Sequence, residues 1–171
     1  MSPHPVRQTT TMRRVLRSAF FLALLTHAML AGAAPLAVGD TLRLPRLEDQ
    51  HGRAFDVAPA TRTLLFAADK AASDLVMQVF DGIGAERLDA MQLRYVADIS
   101  AMPALVTSMF ALPALRKRAY PVGLARDATL TAELPREGGS VTVLRIEAGR
   151  ITALAYAATP GALKRALGLP E

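Results

Sequence analysis

The chain of 171 residues contains no cysteine and no tryptophan, and aromatic residues make up only 5% of it. Without a thiol it forms no disulfide, holds no metal through thiolate ligands and carries out no thiol redox chemistry. A stable fold must therefore come from the packing of apolar side chains, which are abundant at 51% of the sequence.

Histidine is also scarce, since two of the three histidines lie in the first 33 residues and only His51 follows them. Serine hydrolysis needs a general base beside the nucleophile, and we interpret His51 instead as a polar residue of a turn. A metal site would have to rely on carboxylates. The candidates are Asp69, Asp74 and Asp81, which we interpret as the solvated side of a helix.

Residues 1–33 have the composition of a cleaved signal peptide. They contain four arginines and no acidic residue, an apolar core at 19–30, and an Ala-Gly-Ala signal that places cleavage after Ala33. The apolar core is shorter than the ~20 residues that a membrane-spanning helix needs. We therefore predict a periplasmic or secreted protein, with an uncleaved anchor as the alternative. Whether Met1 or Met12 is the start, and whether export is general or twin-arginine, is left open.

The high net charge of the chain arises mostly from this leader. Four of the 20 basic residues leave with it and none of the 15 acidic ones do, so the remainder has a net charge near +1. This balance gives no support to nucleic-acid binding. The remaining stretch, 34–171, has the length of a single domain with one core.

The hydrophobic pattern of 34–171 predicts an α/β domain centred on a strand that runs directly into a helix. The apolar run at 64–66 is typical of a buried strand, and a helical stripe follows from Leu75 to Phe80. The other predicted elements are a hairpin at 45–57, a short helix at 86–91, strands at 93–99 and 120–125, a helix at 103–112, a hairpin of strands 140–146 and 151–157, and a final helix between Thr159 and Gly168.

Two features of the predicted helix at 103–112 concern the face that it buries and the place where it ends. Leu105, Met109 and Leu112 recur at helical spacing, which predicts that they face the core. Pro113 is expected to break or kink the helix at the preceding residue. The three cations at 116–118 are open to two interpretations, an anion site or a cationic helix C-terminus.

Three pairs of motifs follow one another in a characteristic order: VGD at 38–40 with LEDQHG at 47–52, YPV at 120–122 with RD at 126–127, and VTVLRI at 141–146 with GRI at 149–151. In order and spacing they resemble the thioredoxin-like superfamily, and most closely its peroxiredoxin branch. The resemblance covers residues 38–168. It implies a central mixed β-sheet flanked by helices, with an N-terminal hairpin and a C-terminal β-hairpin plus helix.

The sequence departs from this family at the place where the family has its reactive cysteine. The corresponding loop, 69–74, reads DKAASD, and a serine hydroxyl neither forms a sulfenic acid nor exchanges with disulfides. The resemblance also implies a cis-proline just before the hairpin strand, and Ser140 stands there instead. Both halves of the redox site are therefore altered.

A degenerate active-site face is the predicted site of ligand or partner binding, formed by Asp69, Lys70, Ser73 and Ser140. Asp69 or Ser73 would cap the helix, and the unpaired N–H groups of its first turn would favour an acidic or extended partner. Lys70 and Ser140 are expected to be exposed there. We expect a non-catalytic protein without a cofactor; the alternatives are an oxidoreductase with a bound flavin, a periplasmic assembly factor, or an inert face.

The absence of any thiol predicts that the purified protein has neither disulfide reductase nor peroxidase activity. Insulin reduction and hydrogen peroxide consumption by metal-free protein should equal those of a denatured control. Turnover of either substrate above that control would contradict the prediction.

Overall fold

Seven strands form one mixed sheet in the computed structural model, which describes residues 34–57 and 60–170. The strands are β1 (Leu47–Glu48), β2 (Ala54–Phe55), β3 (Thr63–Ala67), β4 (Leu93–Asp98), β5 (Gly123–Ala125), β6 (Val141–Glu147) and β7 (Arg150–Ala157). Their order across the sheet is β2-β1-β5-β4-β3-β6-β7. The predicted signal peptide lies outside the described residues.

Within the described residues, four helices accompany the sheet. They are α1 (Lys70–Phe80), α2 (Ala85–Ala90), α3 (residues 104–116) and α4 (Pro160–Leu167), with a short 3₁₀ turn at Ala128–Thr131. The α/β layout, including the hairpins near both ends of the domain and the closing helix, is the one that the sequence predicts.

Strand β3 is an inner member of the sheet, between β4 and β6, and every one of its residues is buried. It pairs in parallel with β4 and antiparallel with β6. Because side chains alternate along a strand, Leu65 belongs to the core cluster that contains Val76 of α1, whereas Phe66 belongs to the cluster on the opposite face with Leu134. The prediction that this apolar run is covered on both faces is confirmed.

The turn between β1 and β2 is organised by the buried carboxylate of Asp49. Its Oδ1 atom accepts hydrogen bonds from the backbone N–H groups of His51, at 2.8 Å, and Arg53, at 2.9 Å. Burial favours a higher pKa for Asp49, but the N–H groups of Arg53 and His51 and the Arg53 guanidinium together lower that pKa below its ordinary value. His51 is an exposed turn residue, as predicted.

The first part of the strand predicted at 120–125 is not a strand, because its backbone forms hydrogen bonds with a buried side-chain amide. Gln50 donates from Nε2 to the carbonyl oxygen of Tyr120 at 2.9 Å and accepts from the backbone N–H of Val122 at 2.8 Å. Pro121, between them, has no N–H to offer a ladder. Regular pairing therefore begins only at β5.

The prediction that Leu105 and Met109 face the core is wrong, since their side chains are 67% and 59% exposed. Leu112 alone of the three packs against the core. The reason is a π-helical stretch, Thr107–Ala111, between the α-helical turns Ala104–Val106 and Leu112–Arg116. A π turn contains an extra residue, so positions before and after it no longer share the face that a 3.6-residue period predicts.

Of the two outcomes predicted at Pro113, a break of the helix is wrong, because α3 continues past it to Arg116. The backbone N–H of Leu112 bonds to the carbonyl oxygen of Thr107, five residues back. The wider turn ahead of Pro113 accommodates a ring that would otherwise clash with the carbonyl group four residues earlier.

Helix α4 has the ends that its sequence predicts. The hydroxyl of Thr159 accepts from the backbone N–H of Ala162 at 3.2 Å, and Pro160 occupies the first turn. Gly168 ends the helix with a φ of 69°, in the left-handed region that glycine tolerates best. Leu163 and Leu167 lie on its buried face, whereas Ala166 is only partly buried.

Replacing Leu65 or Phe66 by alanine should lower the free energy of unfolding by about 2–5 kcal/mol each, because each substitution leaves a cavity in a close-packed core. Chemical denaturation would measure the loss, with the exposed Thr152→Ala in β7 as the control. If both core variants unfold like wild type, the strand is peripheral and the fold assignment fails.

Candidate functional site

The junction between β3 and α1 is held by the side chain of Asp69. Its Oδ1 atom accepts from the backbone N–H of Ala72 at 2.9 Å, and its carbonyl oxygen accepts from the N–H of Ser73 at 3.0 Å. Of the two residues predicted as candidates for the N-cap, Asp69 fills that position.

The same carboxylate joins α1 to the loop before β6. Its Oδ2 atom accepts from the backbone N–H of Gly139 at 2.7 Å. The two loops meet because Ala67 at the end of β3 pairs with Val141 at the start of β6, so the chain on either side leaves the sheet at the same edge. The expectation that the loop after β3 approaches the residues preceding the C-terminal hairpin is confirmed.

The expectation of unpaired N–H donors for a partner is wrong at Ala72 and Ser73, because Asp69 already accepts from both. The hydrogen bonds from Ala72 and Gly139 lower the pKa of Asp69, since they stabilise its charged form. The carboxylate of Asp69 therefore occupies this part of the helix N-terminus, in the place that the sequence predicts for a group of a partner.

Ser140 lies directly before β6, where the family resemblance places a proline. Its backbone N–H donates to the carbonyl oxygen of Glu137 at 3.1 Å, and all peptide bonds of the described residues are trans. The expectation that Ser140 is exposed is wrong, because the residue is only 2% exposed. It lies at the start of the inner strand β6 and is covered by its neighbours, so a bulky replacement would disturb the fold.

Lys70 and Ser73 line a groove between α1 and α3, which we call the α1–α3 groove. Its volume is about 390 Å³, and Asp69 lies at its rim. Val106 and Phe110 form part of the α3 wall, and most of the lining is apolar. The structure thus brings three of the four predicted site residues to one groove and leaves Ser140 out of it.

The polar groups of the groove are few and mostly engaged. Lys70 is highly exposed and forms an ion pair with Asp74 at 2.5 Å, of the i,i+4 kind. Ser73 and Tyr95 both line the groove. Burial raises the pKa of Tyr95 above its ordinary value, outweighing the lowering by the neighbouring Ser73. The groove therefore contains an uncharged hydroxyl pair at neutral pH.

The wall formed by α3 is a feature that the sequence reasoning missed. Leu105, Val106, Met109 and Phe110 are all exposed, and we call them the α3 stripe. A usable signal was present, because residues 104–115 contain only two polar residues, Thr107 and Ser108. A helix that is apolar nearly all round needs cover on more than one side.

The acidic residues considered as metal ligands are used separately. Asp69 caps α1, Asp74 pairs with Lys70, and Asp81 pairs with Arg118. Within 34–57 and 60–170, no cluster of three or more acidic or histidine side chains has the arrangement of a metal site. In the same two stretches, no helix has both the length and the apolar character needed to cross a membrane.

Neither a protein-family model nor a curated protein matches the chain. Solved structures do match. They include peroxidoxin BcpB from Mycobacterium tuberculosis, with 17% identity, a TM-score of 0.53, and coverage of 78% of this chain and 95% of that one. Reduced Prx3 from Vibrio vulnificus has 18% identity, a TM-score of 0.51, and coverage of 78% and 99%. A thioredoxin-like protein of uncharacterized function from Porphyromonas gingivalis has 14% identity, a TM-score of 0.50, and coverage of 77% and 92%.

The fold is thioredoxin-like. Identities this low establish the architecture and not the activity. In this thioredoxin-like domain the α1–α3 groove lies beside the loop at which the family resemblance implies a reactive cysteine. The chain has no cysteine there or anywhere else, so the groove is the feature of this face that remains to be explained.

Asp69→Ala should lower the free energy of unfolding by about 1–2 kcal/mol at neutral pH, through loss of the cap. Because folding lowers the pKa of Asp69, its contribution is present above the unfolded value near 4 and is lost as the pH falls through the folded value. The stability difference between wild type and Asp69→Asn should therefore shrink in acid. A difference independent of pH, measured by denaturation at several pH values, would contradict this role.

Proposed function

We propose that this chain is an exported, non-catalytic thioredoxin-like protein that binds a protein or small ligand through the α1–α3 groove. The observation that carries the proposal is the groove itself, an apolar concavity beside the altered active-site loop. Its volume of about 390 Å³ is in the range of ligand sites. No cofactor is part of the proposed activity.

The lining of the groove supports binding over catalysis. Catalysis would need a nucleophile or base with a partner that activates it. Among the residues that line the groove, no histidine is present to act as a base for Ser73, and Asp69 accepts hydrogen bonds from backbone N–H groups. The polar groups are therefore structural. Val106, Phe110 and the other apolar side chains offer surface that a ligand would remove from water.

One observation favours the second candidate, an assembly factor that acts through a broader apolar surface. The α3 stripe extends beyond the groove, since Leu105 and Met109 belong to the stripe but do not line the groove. A contiguous apolar patch of this kind is typical of an interaction surface.

Binding of the apolar dye Nile red, followed by its fluorescence, should separate the groove from the rest of the stripe. The double change Val106→Ser and Phe110→Ser should weaken dye binding about tenfold or more, because it removes apolar contacts from one wall. Both side chains are exposed, so circular dichroism should report an unchanged fold.

The matched control is Leu105→Ser with Met109→Ser, on the same helix and equally apolar but outside the groove. This variant should bind the dye like wild type. Equal effects of the two double variants, or no binding by the wild type, would contradict a ligand site in the α1–α3 groove.

A further inference from the structure

We propose that the occupant of the α1–α3 groove is an amphipathic helix of a partner protein with acidic residues flanking its apolar face, which also covers the α3 stripe. This inference rests on the proposed function and adds the chemistry of the partner. It follows from the packing of α3, from the shape of the surface and from the charges that border it.

Helix α3 lacks the cover that its composition requires. Thr107 is its only buried residue, and a second cavity of about 380 Å³ lies on the other side of the helix, bordered by Met102, Leu112 and Arg126. The four residues of the α3 stripe are exposed and close together along the helix, which offers a second helix an apolar surface to pack against. A partner helix would complete the packing that the domain leaves open.

The acidic side chains that line the groove are already engaged. Asp69 accepts from two backbone N–H groups, and Asp74 pairs with Lys70. The carboxylate of Asp98 accepts from the hydroxyl of Ser100 at 2.6 Å and from that of Thr131 at 2.9 Å, and it also pairs with Arg136. Asp74 and Asp98 are thus paired with cations, whereas Asp69 is bonded only to neutral N–H groups and keeps its negative charge.

Three basic side chains near α3 have no carboxylate paired with them within the described stretches. Among the described residues, Lys117 and Arg126 have no ion-pair partner, and Arg116 donates from Nε to the neutral carbonyl oxygen of Gln50 at 3.0 Å. Lys117 follows the last residue of α3, and Arg126 borders the cavity on its far side. Set against the carboxylates of Asp69 and Asp127, which also have no ion-pair partner in the described part of the chain, these three cations leave a small positive balance around the helix, and that balance complements an acidic partner.

Two other occupants fit less well. A second copy of this chain would bring like charges together across the interface, which opposes association. A bilayer surface would meet the exposed stripe but would not enter a concave groove between two helices. An apolar helix flanked by glutamates matches both the shape and the charge, in the helix-in-groove mode.

Two synthetic peptides test the proposal, each about five helical turns long with leucines at i, i+3, i+4 and i+7. One has glutamates beside the leucines and the other has lysines. Fluorescence anisotropy should show the glutamate peptide binding the purified protein about tenfold more tightly at about 50 mM salt, with the difference mostly lost at about 500 mM. Phe110→Ser should weaken binding of both peptides.

Charge-reversal variants locate the complementarity. Lys117→Glu and Arg126→Glu should each weaken the glutamate peptide several-fold and strengthen the lysine peptide. The control is Arg43→Glu, because Arg43 follows Leu42, which bonds to Gly149 in the β6–β7 turn at the opposite end of the sheet. Equal binding of the two peptides, or equal effects of the variant at Arg43 and the variant at Lys117, would overturn the proposal.

The remaining outcomes also decide. If sedimentation shows a dimer that Phe110→Ser dissociates, the occupant is a second copy and the proposal is overturned. If neither peptide binds and the protein pellets with anionic vesicles in a manner that depends on Phe110, the occupant is a bilayer and the proposal is overturned as well. If the groove variants lose Nile red while the peptides do not discriminate by charge, the acidic partner fails and the ligand groove stands. If Nile red binding ignores the groove variants, the proposed function fails as well.

Discussion

The architecture of this face depends on the hydrogen bonds that the carboxylate of Asp69 accepts. With one oxygen it caps the first turn of α1, and with the other it holds the loop before β6. A charge-assisted acceptor suits a helix N-terminus for the same electrostatic reason that a thiolate does. In this chain the carboxylate of Asp69 accepts a hydrogen bond from the first turn of α1. The end of the helix is therefore stabilised without a redox group.

Beside this junction, the exposed apolar surface of the domain lies along α3. The π-helical stretch Thr107–Ala111 lets the helix continue through Pro113 and turns Leu105 and Met109 away from the core. Such stretches are rare and often occur at functional sites. The exposed stripe follows from this local irregularity, and the stripe and the groove beside it form the surface that we propose for binding.

The parts of the fold that follow from local rules could be predicted from the sequence. The buried run at 64–66, the N-cap of α1, predicted at Asp69 or Ser73, and the Thr159 and Gly168 ends of α4 each depend on chemistry within a few residues. Other features depend on partners far along the chain. The amide of Gln50 interrupts a predicted strand some 70 residues away, and Ser140 is buried because β6 is an inner strand.

The proposed binding surface is the least predictable part, because a 3.6-residue period cannot anticipate a π turn. Site-specific photo-crosslinking in cells that produce the protein tests the surface most directly, with benzoylphenylalanine placed at Phe110 in one variant and at the exposed Tyr156 of β7 in another. A binding surface at the α1–α3 groove predicts a discrete adduct from the position of Phe110 and none from that of Tyr156. Equal adducts from both positions, or an adduct from Tyr156 alone, would contradict it.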